Sequence, residues 1–213
     1  MWECGGGINS KKVNMISVSH SYKDAFFSNR IKHQHFQSKI PPICDALIAL
    51  YNPGTLIDVG CGVGDFIPYF IDKGVDAYGL EGTENCIPYL AFPKERLTVA
   101  DLRLSIKFGR RFDLALSFEV AEHIELEYAG VFCDNLIDLS DTIVMTAAPP
   151  HQGGYCHVNC QEKLYWIEKF NEKGFDVDLS DMEKLCHSWE CLNNDRETKI
   201  YTANLIVFKK RKV

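Results

Sequence analysis

The sequence predicts an α/β fold in which a doubly wound, mostly parallel sheet is covered by helices on both faces. Short apolar runs typical of buried strands alternate along the chain with longer segments of helical periodicity. The first of these runs ends in a glycine-rich turn, and a helical pattern begins directly after it. This order of strand, tight turn and helix is typical of the βαβ units from which parallel sheets are built.

Seven apolar runs are the predicted strands, so the predicted sheet is seven-stranded. They are 56–59, 75–81, 97–100, 112–118, 141–147, 174–177 and 199–209. Helical spacing of apolar residues predicts helices over 126–139 and 161–173 and two N-terminal helices within 22–51, broken near Pro41 and Pro42. We expect a flexible N-terminus over 1–21 and a single domain over 22–213, with the N-terminal helices in 22–51 and the core in 52–213.

The glycine-rich turn after the first strand indicates a ligand site. Gly60, Gly62 and Gly64 let the backbone approach a ligand closely, and the following helix points unpaired N–H groups towards it. A dinucleotide fingerprint would require a third glycine at position 65, where the chain has Asp65. Asp58, two residues before the first glycine, would add further negative charge near a pyrophosphate. The turn therefore favours a nucleotide-like ligand without phosphates.

The segment from Asp58 to Gly64 resembles the first motif of the class I S-adenosylmethionine-dependent methyltransferases, which has the form acidic-x-G-x-G-x-G. The resemblance implies an enzyme with a Rossmann-like sheet whose last strand is antiparallel. It also implies S-adenosylmethionine as the cofactor.

Acidic residues at the ends of the second and third predicted strands have the spacing that this resemblance implies. Glu81 ends the second strand 21 residues after Gly60, where a carboxylate accepts hydrogen bonds from both ribose hydroxyls. By the resemblance, Asp101 and Leu102 hold and cover the adenine ring. The complete set of expected cofactor-binding residues is Asp58, Gly60, Cys61, Gly62, Gly64, Glu81, Gly82, Asp101, Leu102, Ser117 and Phe118.

The segment after the fourth strand carries the candidate catalytic groups. His123 and the more distant His157 are the candidates for proton handling, because an imidazole titrates near neutral pH. The grouping of Glu119, Glu122 and His123 with His157 resembles the metal site of small-RNA 2′-O-methyltransferases, which implies a divalent metal held by these four residues. Metal-independent small-molecule methyltransferases also carry Glu-His here, and in that alternative the first glutamate caps a helix.

Composition restricts the class of molecule that can accept the methyl group. The 213-residue chain is 46 % apolar and has a formal net charge of −6, without the basic excess of a nucleic-acid-binding protein. We therefore expect methyl transfer to an oxygen of a small hydroxylated molecule such as a saccharide or secondary metabolite. Two alternatives remain: a metal-assisted RNA 2′-O-ribose methyltransferase, and a non-catalytic cofactor-binding sensor or partner subunit.

Cysteine usage and hydropathy predict the cellular setting. Nine scattered cysteines are typical of reduced thiols in an intracellular protein, although Cys156, Cys160, Cys186 and Cys191 with their neighbouring histidines leave a structural zinc site open. No apolar run approaches membrane-spanning length, and no signal-peptide pattern occurs, so we expect a cytoplasmic protein without a membrane partner. The sequence leaves the oligomeric state open.

Overall fold

The computed structural model describes residues 27–28, 34–194 and 198–212. In this part of the chain, one seven-stranded sheet has the strand order β3-β2-β1-β4-β5-β7-β6. The strands are β1 (Thr55–Val59), β2 (Asp76–Glu81), β3 (Leu97–Val99), β4 (Leu114–Phe118), β5 (Thr142–Thr146), β6 (Phe175–Val177) and β7 (Leu205–Lys210). The expected flexible segment 1–21, and much of the helical segment that follows it, lie outside the described residues.

Seven α-helices surround the sheet in the described ranges. They are α1 (Gln34–Gln37), α2 (Ile40–Tyr51), α3 (Ile67–Asp72), α4 (Ala129–Leu139), α5 (Lys163–Glu172), α6 (Leu179–Ser188) and α7 (Ile200–Ala203). Short 3₁₀ helices connect several of these elements, among them Glu84–Tyr89 after β2 and Ala121–His123 after β4.

The pairing of the strands confirms the predicted fold class. β1, β2, β3, β4 and β5 pair in parallel, whereas β7 runs antiparallel to both β5 and β6. Because β2 and β4 lie on opposite sides of β1, the winding of the chain reverses there and a crevice opens at the carboxyl ends of these strands. The antiparallel last strand follows the expectation from the resemblance.

Both faces of the sheet are buried, because alternate residues of each strand contribute to a different core. Leu56 packs with Leu47 and Phe70 on one face, and its neighbour Ile57 packs with Phe132 on the other. Such two-sided burial explains why the strand sequences are continuous apolar runs and do not alternate with polar residues.

Helices α1 and α2 are separated at residues 38–39, directly before Pro41 and Pro42, which agrees with the predicted break. The two prolines lie in the first turn of α2, where no backbone N–H donor is needed. The structure differs from the prediction at the last strand. The predicted seventh strand contains α7 at its start, and β7 begins only at Leu205. Two apolar residues, Ile200 and Tyr201, fit either period over so short a stretch, so the pattern could not separate helix from strand.

The described helices are too short or too polar to serve as membrane spans.

Candidate functional site

A cavity of about 660 Å³ opens at the carboxyl ends of the parallel strands. All the predicted site residues line it except Gly64 and Ser117. The buried Ser117 hydroxyl donates a hydrogen bond to the Val59 carbonyl oxygen over 3.1 Å, so it ties β4 to β1 inside the sheet. Both catalytic candidates and all four metal-ligand candidates lie in the wall of this one cavity.

The glycine turn forms one side of the cavity, and two of its three glycines lie directly against side chains. Gly60, at φ 76°, faces Val120, whose nearest methyl carbon would lie 2.4 Å from an added Cβ. Gly64 faces Phe92 at 2.2 Å in the same way. An added Cβ at Gly62, where φ is 58°, would meet no protein atom within 4 Å. A side chain at Gly62 would therefore project into open space beside the turn, where a ligand could otherwise lie against the backbone.

Glu81 connects the end of β2 to the glycine turn. Its two carboxylate oxygens accept hydrogen bonds of 2.8 Å from the backbone N–H groups of Gly62 and Gly82. Burial raises the pKa of this carboxyl group, and these backbone hydrogen bonds counteract the rise. Each carboxylate oxygen has a second lone pair, so Glu81 retains acceptor capacity for ligand hydroxyls at the edge of the cavity.

Asp101 and Leu102 line the cavity after β3, and an ion pair fixes this segment. The Asp101 carboxylate accepts hydrogen bonds from the Arg103 guanidinium at 2.9, 3.2 and 2.7 Å, which holds the pKa of Asp101 below its usual range. The buried Asn135 of α4 donates to the carbonyl oxygens of Leu102 and Leu104 over 3.1 and 2.9 Å. Helix α4 thus anchors one wall of the cavity.

Glu122, His123 and His157, here called the Glu122 cluster, come together at the end of β4. One ligand atom from each residue lies within 4.8 Å of the other two. Glu122 is fully buried, and neither carboxylate oxygen accepts a hydrogen bond of ordinary geometry, although the backbone N–H groups of Glu122 and Ala148 interact with it and lower its pKa. Its Oε1 lies 3.9 Å from Nε2 of His157. Burial, with the nearby charge of Glu119, raises the pKa of Glu122 to about 8.

The two imidazole rings of this cluster are held by backbone carbonyl groups. Nδ1 of His123 lies 3.1 Å from the Cys156 carbonyl oxygen, and Nδ1 of His157 lies 3.2 Å from that of Gln152. Because a carbonyl only accepts, Nδ1 is the protonated nitrogen and Nε2 carries the lone pair in each neutral ring. Burial and the adjacent His157 ring, 4.9 Å away between centroids, lower the pKa of His123 to about 4.

Glu119 stands apart from the Glu122 cluster. Its carboxylate accepts hydrogen bonds from Nε2 of Gln152 at 2.6 Å and from Nδ2 of Asn204 at 3.0 Å. Asn204 also donates to Oε1 of Gln152 over 3.0 Å, which closes a ring of three side chains, here called the Glu119 network. The predicted four-residue metal set is therefore divided in the structure, with three residues in one group and Glu119 in another.

Four aromatic rings, here called the aromatic wall, line the cavity beside these polar groups. The ring of Phe118 lies 5.4 Å from the rings of both Phe66 and Tyr201, and Phe36 lies 5.9 Å from Phe66. The sequence analysis identified Phe118 alone among these rings. Phe36 and Tyr201 belong to segments far from the glycine turn in sequence, and only the fold brings them to it.

The cysteine and histidine groups that left a zinc site open do not converge. His187 is hydrogen-bonded to Glu190 at the exposed end of α6, and the Cys186 thiol donates to the Thr202 carbonyl oxygen. Among the described residues, only the Glu122 cluster brings three such ligand atoms together.

Comparison with known proteins relates this site to one family. Residues 32–133 match the family model described as a methyltransferase domain. No curated protein matches the sequence.

Solved structures share the fold over most of the chain. A TehB-like S-adenosylmethionine-dependent methyltransferase from Corynebacterium glutamicum is 17 % identical with a TM-score of 0.61, over 88 % of this chain and 99 % of its own. A putative methyltransferase in complex with the Trm112 activator from Haloferax volcanii is 15 % identical with a TM-score of 0.61, over 89 % and 97 %. Magnesium protoporphyrin IX methyltransferase from Synechocystis, with bound S-adenosylhomocysteine, is 20 % identical with a TM-score of 0.52, over 70 % and 76 %.

Proposed function

We propose that this chain is a class I S-adenosylmethionine-dependent methyltransferase that transfers a methyl group to a hydroxyl oxygen of a small molecule, such as a saccharide or secondary metabolite. The observation that carries this proposal is the shared cavity. In it, the glycine turn and Glu81 face the same space as two half-buried histidines, His123 after β4 and His157 in the loop after β5. A cofactor held by the turn would meet an acceptor held near the histidines.

The residues at the turn fit S-adenosylmethionine. The open space beside Gly62 would admit the cofactor against the backbone, and Glu81 offers paired acceptors for two ribose hydroxyls. The cofactor, when bound, supplies a methyl group bonded to a positively charged sulfur, and that sulfur keeps the electron pair of the S–C bond that breaks. The acidic side chains of the wall suit a ligand with this charge.

The chain's own residues then have two tasks: to orient the acceptor and to remove its proton. As the hydroxyl oxygen gains the methyl group, its proton passes to Nε2 of an imidazole. We assign this role first to His157, because the Gln152 carbonyl oxygen accepts the hydrogen bond from its Nδ1, which leaves Nε2 free to take the proton and stabilises the positive charge formed on the ring. His123 is the weaker base, because burial lowers its pKa to about 4.

Label transfer tests this function. Purified protein is incubated with methyl-labelled S-adenosylmethionine and separate extracts of small metabolites, RNA and protein, and we expect label in the small-molecule fraction. Label in RNA alone would contradict the proposed acceptor class. Cofactor binding without transfer to any fraction would contradict catalysis and favour the sensor alternative.

Two histidine variants test the assigned roles. His157→Asn should lower turnover by about 100-fold, because general-base catalysis commonly contributes a factor of this size to the rate. His123→Asn should lower turnover less. Both variants should keep the affinity for S-adenosylhomocysteine, measured by calorimetry, because neither ring is assigned to the cofactor. His187→Asn, at the exposed end of α6, is the matched control and should retain full turnover. A similar loss of cofactor affinity in both cavity variants would contradict this division of roles.

The Glu122 cluster favours a second mode of action, in which a divalent metal assists transfer. Its two imidazoles and one buried carboxylate are a donor set that suits ions such as Zn²⁺ or Mn²⁺. Glu119 would not contribute without leaving Gln152 and Asn204. When bound, an ion would lower the pKa of an acceptor hydroxyl.

Removing metal distinguishes the two modes. The purified protein is analysed for bound ions, dialysed against a chelator and assayed again with and without added Mn²⁺ or Zn²⁺. In the metal-free mode, turnover is unchanged and no ion is found. A loss of turnover that an added ion restores in the wild type, but not in Glu122→Gln, would establish the metal-assisted mode.

A further inference from the structure

One part of the cavity combines apolar rings with hydrogen-bond acceptors. The aromatic wall supplies four rings, each no more than 9 % exposed. Beside them, Glu119 and Gln152 of the Glu119 network line the same space. A flat apolar body would pack against the rings, while the polar edge of the same molecule would face the network.

Glu122 gives the second, independent indication of a ligand. Its side chain is fully buried and lines the cavity, and neither carboxylate oxygen accepts a hydrogen bond of ordinary geometry, although the backbone N–H groups of Glu122 and Ala148 interact with it. Native proteins rarely leave such a group without good hydrogen bonds, because an unmet buried acceptor lowers stability. A molecule that enters the cavity and donates a hydrogen bond would satisfy it.

The charges of the wall restrict that molecule further. In the described part of the chain, Arg103 is the single lysine or arginine in the wall, and it is ion-paired with Asp101 and Glu125 at 2.7 and 3.2 Å. The wall also contains six acidic residues, namely Asp58, Asp65, Glu81, Asp101, Glu119 and Glu122, of which Glu122 is protonated near neutral pH. A carboxylate or phosphate placed beside Glu119, away from the backbone N–H groups of the glycine turn, would lose its hydration without gaining a cation.

We infer that the methyl acceptor is an uncharged or cationic molecule with a flat apolar body, whose hydroxyl or amino groups donate hydrogen bonds to the Glu119 network and to Glu122. This inference rests on the proposed function, since it describes the acceptor of the same cavity. It excludes acceptors that carry a carboxylate or phosphate close to the methylated atom, including a phosphate-flanked ribose of RNA. Glu119 is the residue that sets this specificity, because two amide groups hold its carboxylate in place at the wall.

Three phenols that differ mainly in charge test the inference. Tyramine is cationic, tyrosol is uncharged and para-hydroxyphenylacetate is anionic, while ring and hydroxyl are the same. Their binding to protein saturated with S-adenosylhomocysteine is measured by ligand-observed NMR titration. We expect tyramine and tyrosol to bind about tenfold more tightly than the anion or better, because an unpaired buried anion is costly.

Variants test whether Glu119 causes this preference. Glu119→Gln should weaken the binding of tyramine and reduce its advantage over the anion by about threefold or more, because the wall loses a negative charge. Glu127→Gln removes an exposed carboxylate outside the cavity and should leave the preference unchanged. If Glu119→Gln does not fold, the wild-type series still decides the charge class.

The inference is overturned if the anion binds as tightly as the other two phenols, if none of the three binds, or if folded Glu119→Gln keeps the full preference. Calorimetry with S-adenosylhomocysteine on the same preparation separates this failure from that of the proposed function. Protein that binds the nucleoside but shows no charge preference contradicts only the inference. Folded protein that does not bind the nucleoside contradicts the proposed function itself.

Discussion

Gly154 lies against the imidazole ring of His157 in the loop after β5. A Cβ at this position would come within 2.0 Å of Nε2 and 2.2 Å of Cε1 of the ring, so even alanine requires the ring to move. The same ring is held from its other nitrogen by the Gln152 carbonyl group, and the Cys160 sulfur lies 3.4 Å from that nitrogen. Gly154 therefore has a positioning role for His157.

We predict that Gly154→Ala lowers turnover by about tenfold or more, because it displaces His157, the base that we propose for the reaction. It should leave the affinity for S-adenosylhomocysteine unchanged, because Glu81 and the glycine turn are not touched. Steady-state kinetics and calorimetry measure the two quantities. Gly153→Ala is the matched comparison, since its added methyl group meets no protein atom within 4 Å. Equal effects of the two substitutions would contradict the positioning role.

At the residue scale, the sequence predicted positions that are fixed by local backbone chemistry. Gly62 and Glu81 could be found because a glycine turn and an acid at a strand end are local patterns with known spacing. Gly154, Gln152 and Asn204 could not, because their roles depend on contacts between segments distant in sequence. The sequence placed Glu119 in a metal set by its spacing, whereas two amides from those distant segments direct its carboxylate elsewhere.

At the scale of elements, helix α4 is connected to the loop after β3 through one side chain. Asn135 donates two hydrogen bonds to the carbonyl oxygens of Leu102 and Leu104, and its Oδ1 accepts one of 3.0 Å from the Ile106 N–H. This buried amide holds the loop that carries Asp101 and Leu102 at the cavity. The helix therefore shapes the site without entering it.

Asn135→Leu should lower the free energy of unfolding by about 2–3 kcal/mol, because it leaves two carbonyl oxygens and one N–H unpaired in the interior. It should also weaken S-adenosylhomocysteine binding, because the loop at the cavity loses its support. Urea unfolding and calorimetry measure these changes. Asp138→Ala, on the same helix and paired only with the exposed Lys107, should cause much smaller changes. An unchanged nucleoside affinity in folded Asn135→Leu would show that α4 supports stability alone.

The elements themselves were predictable where periodicity was long and consistent. The strands buried on both faces are continuous apolar runs, so their number and order along the chain followed from the sequence. Helix α6 lay in a segment whose pattern assigned no element, and its start depends on Asp178, whose side chain accepts a hydrogen bond from the Asp181 N–H. The sequence pattern predicts strand where α7 forms, because a short local pattern does not contain the tertiary contact of Tyr201 with Phe118.

For the molecule as a whole, two buried groups give opposite dependences of stability on pH. The pKa of Glu122 is raised from 4.5 to about 8, so the folded protein holds a proton that the unfolded chain releases in this range. Stability therefore falls as pH rises between these values. The pKa of His123 is lowered from 6.5 to about 4, so stability falls there as pH decreases. Glu119, His123, His157 and Cys160 are the titratable groups near Glu122 in the described residues.

We predict that Glu122→Gln flattens the fall in the free energy of unfolding between about pH 6.5 and about 8, where Glu122 acts without opposition from His123. The change should be at most about 1.4 kcal/mol per pH unit, the value for one proton. Urea unfolding in the presence of a chelator measures it without interference from bound metal. Glu127→Gln, an exposed carboxylate, should keep the wild-type slope. If the free energy of unfolding falls with pH as steeply in Glu122→Gln as in the wild type, a group other than Glu122 titrates in this range.

Cofactor binding should stabilise the entire fold, because the cavity is assembled from the ends of several strands and exists only when the sheet is formed. At a concentration 100 times its dissociation constant, S-adenosylhomocysteine should add about 2.7 kcal/mol to the free energy of unfolding. For a chain of this size, the midpoint of thermal unfolding should rise by about 5–10 °C.

Gly62→Val should abolish this rise in the midpoint, because the valine side chain would occupy the open space beside the glycine turn. Valine is also strained at the φ of 58° found there, so a control must carry similar strain without touching the cavity. Gly109→Val meets this requirement, since Gly109 has a φ of 79°, no protein atom within 4 Å of an added Cβ, and no place in the cavity wall. We expect Gly109→Val to lower the starting midpoint and to retain the full rise with nucleoside. A rise of the same size in Gly62→Val would show that the nucleoside binds away from the glycine turn.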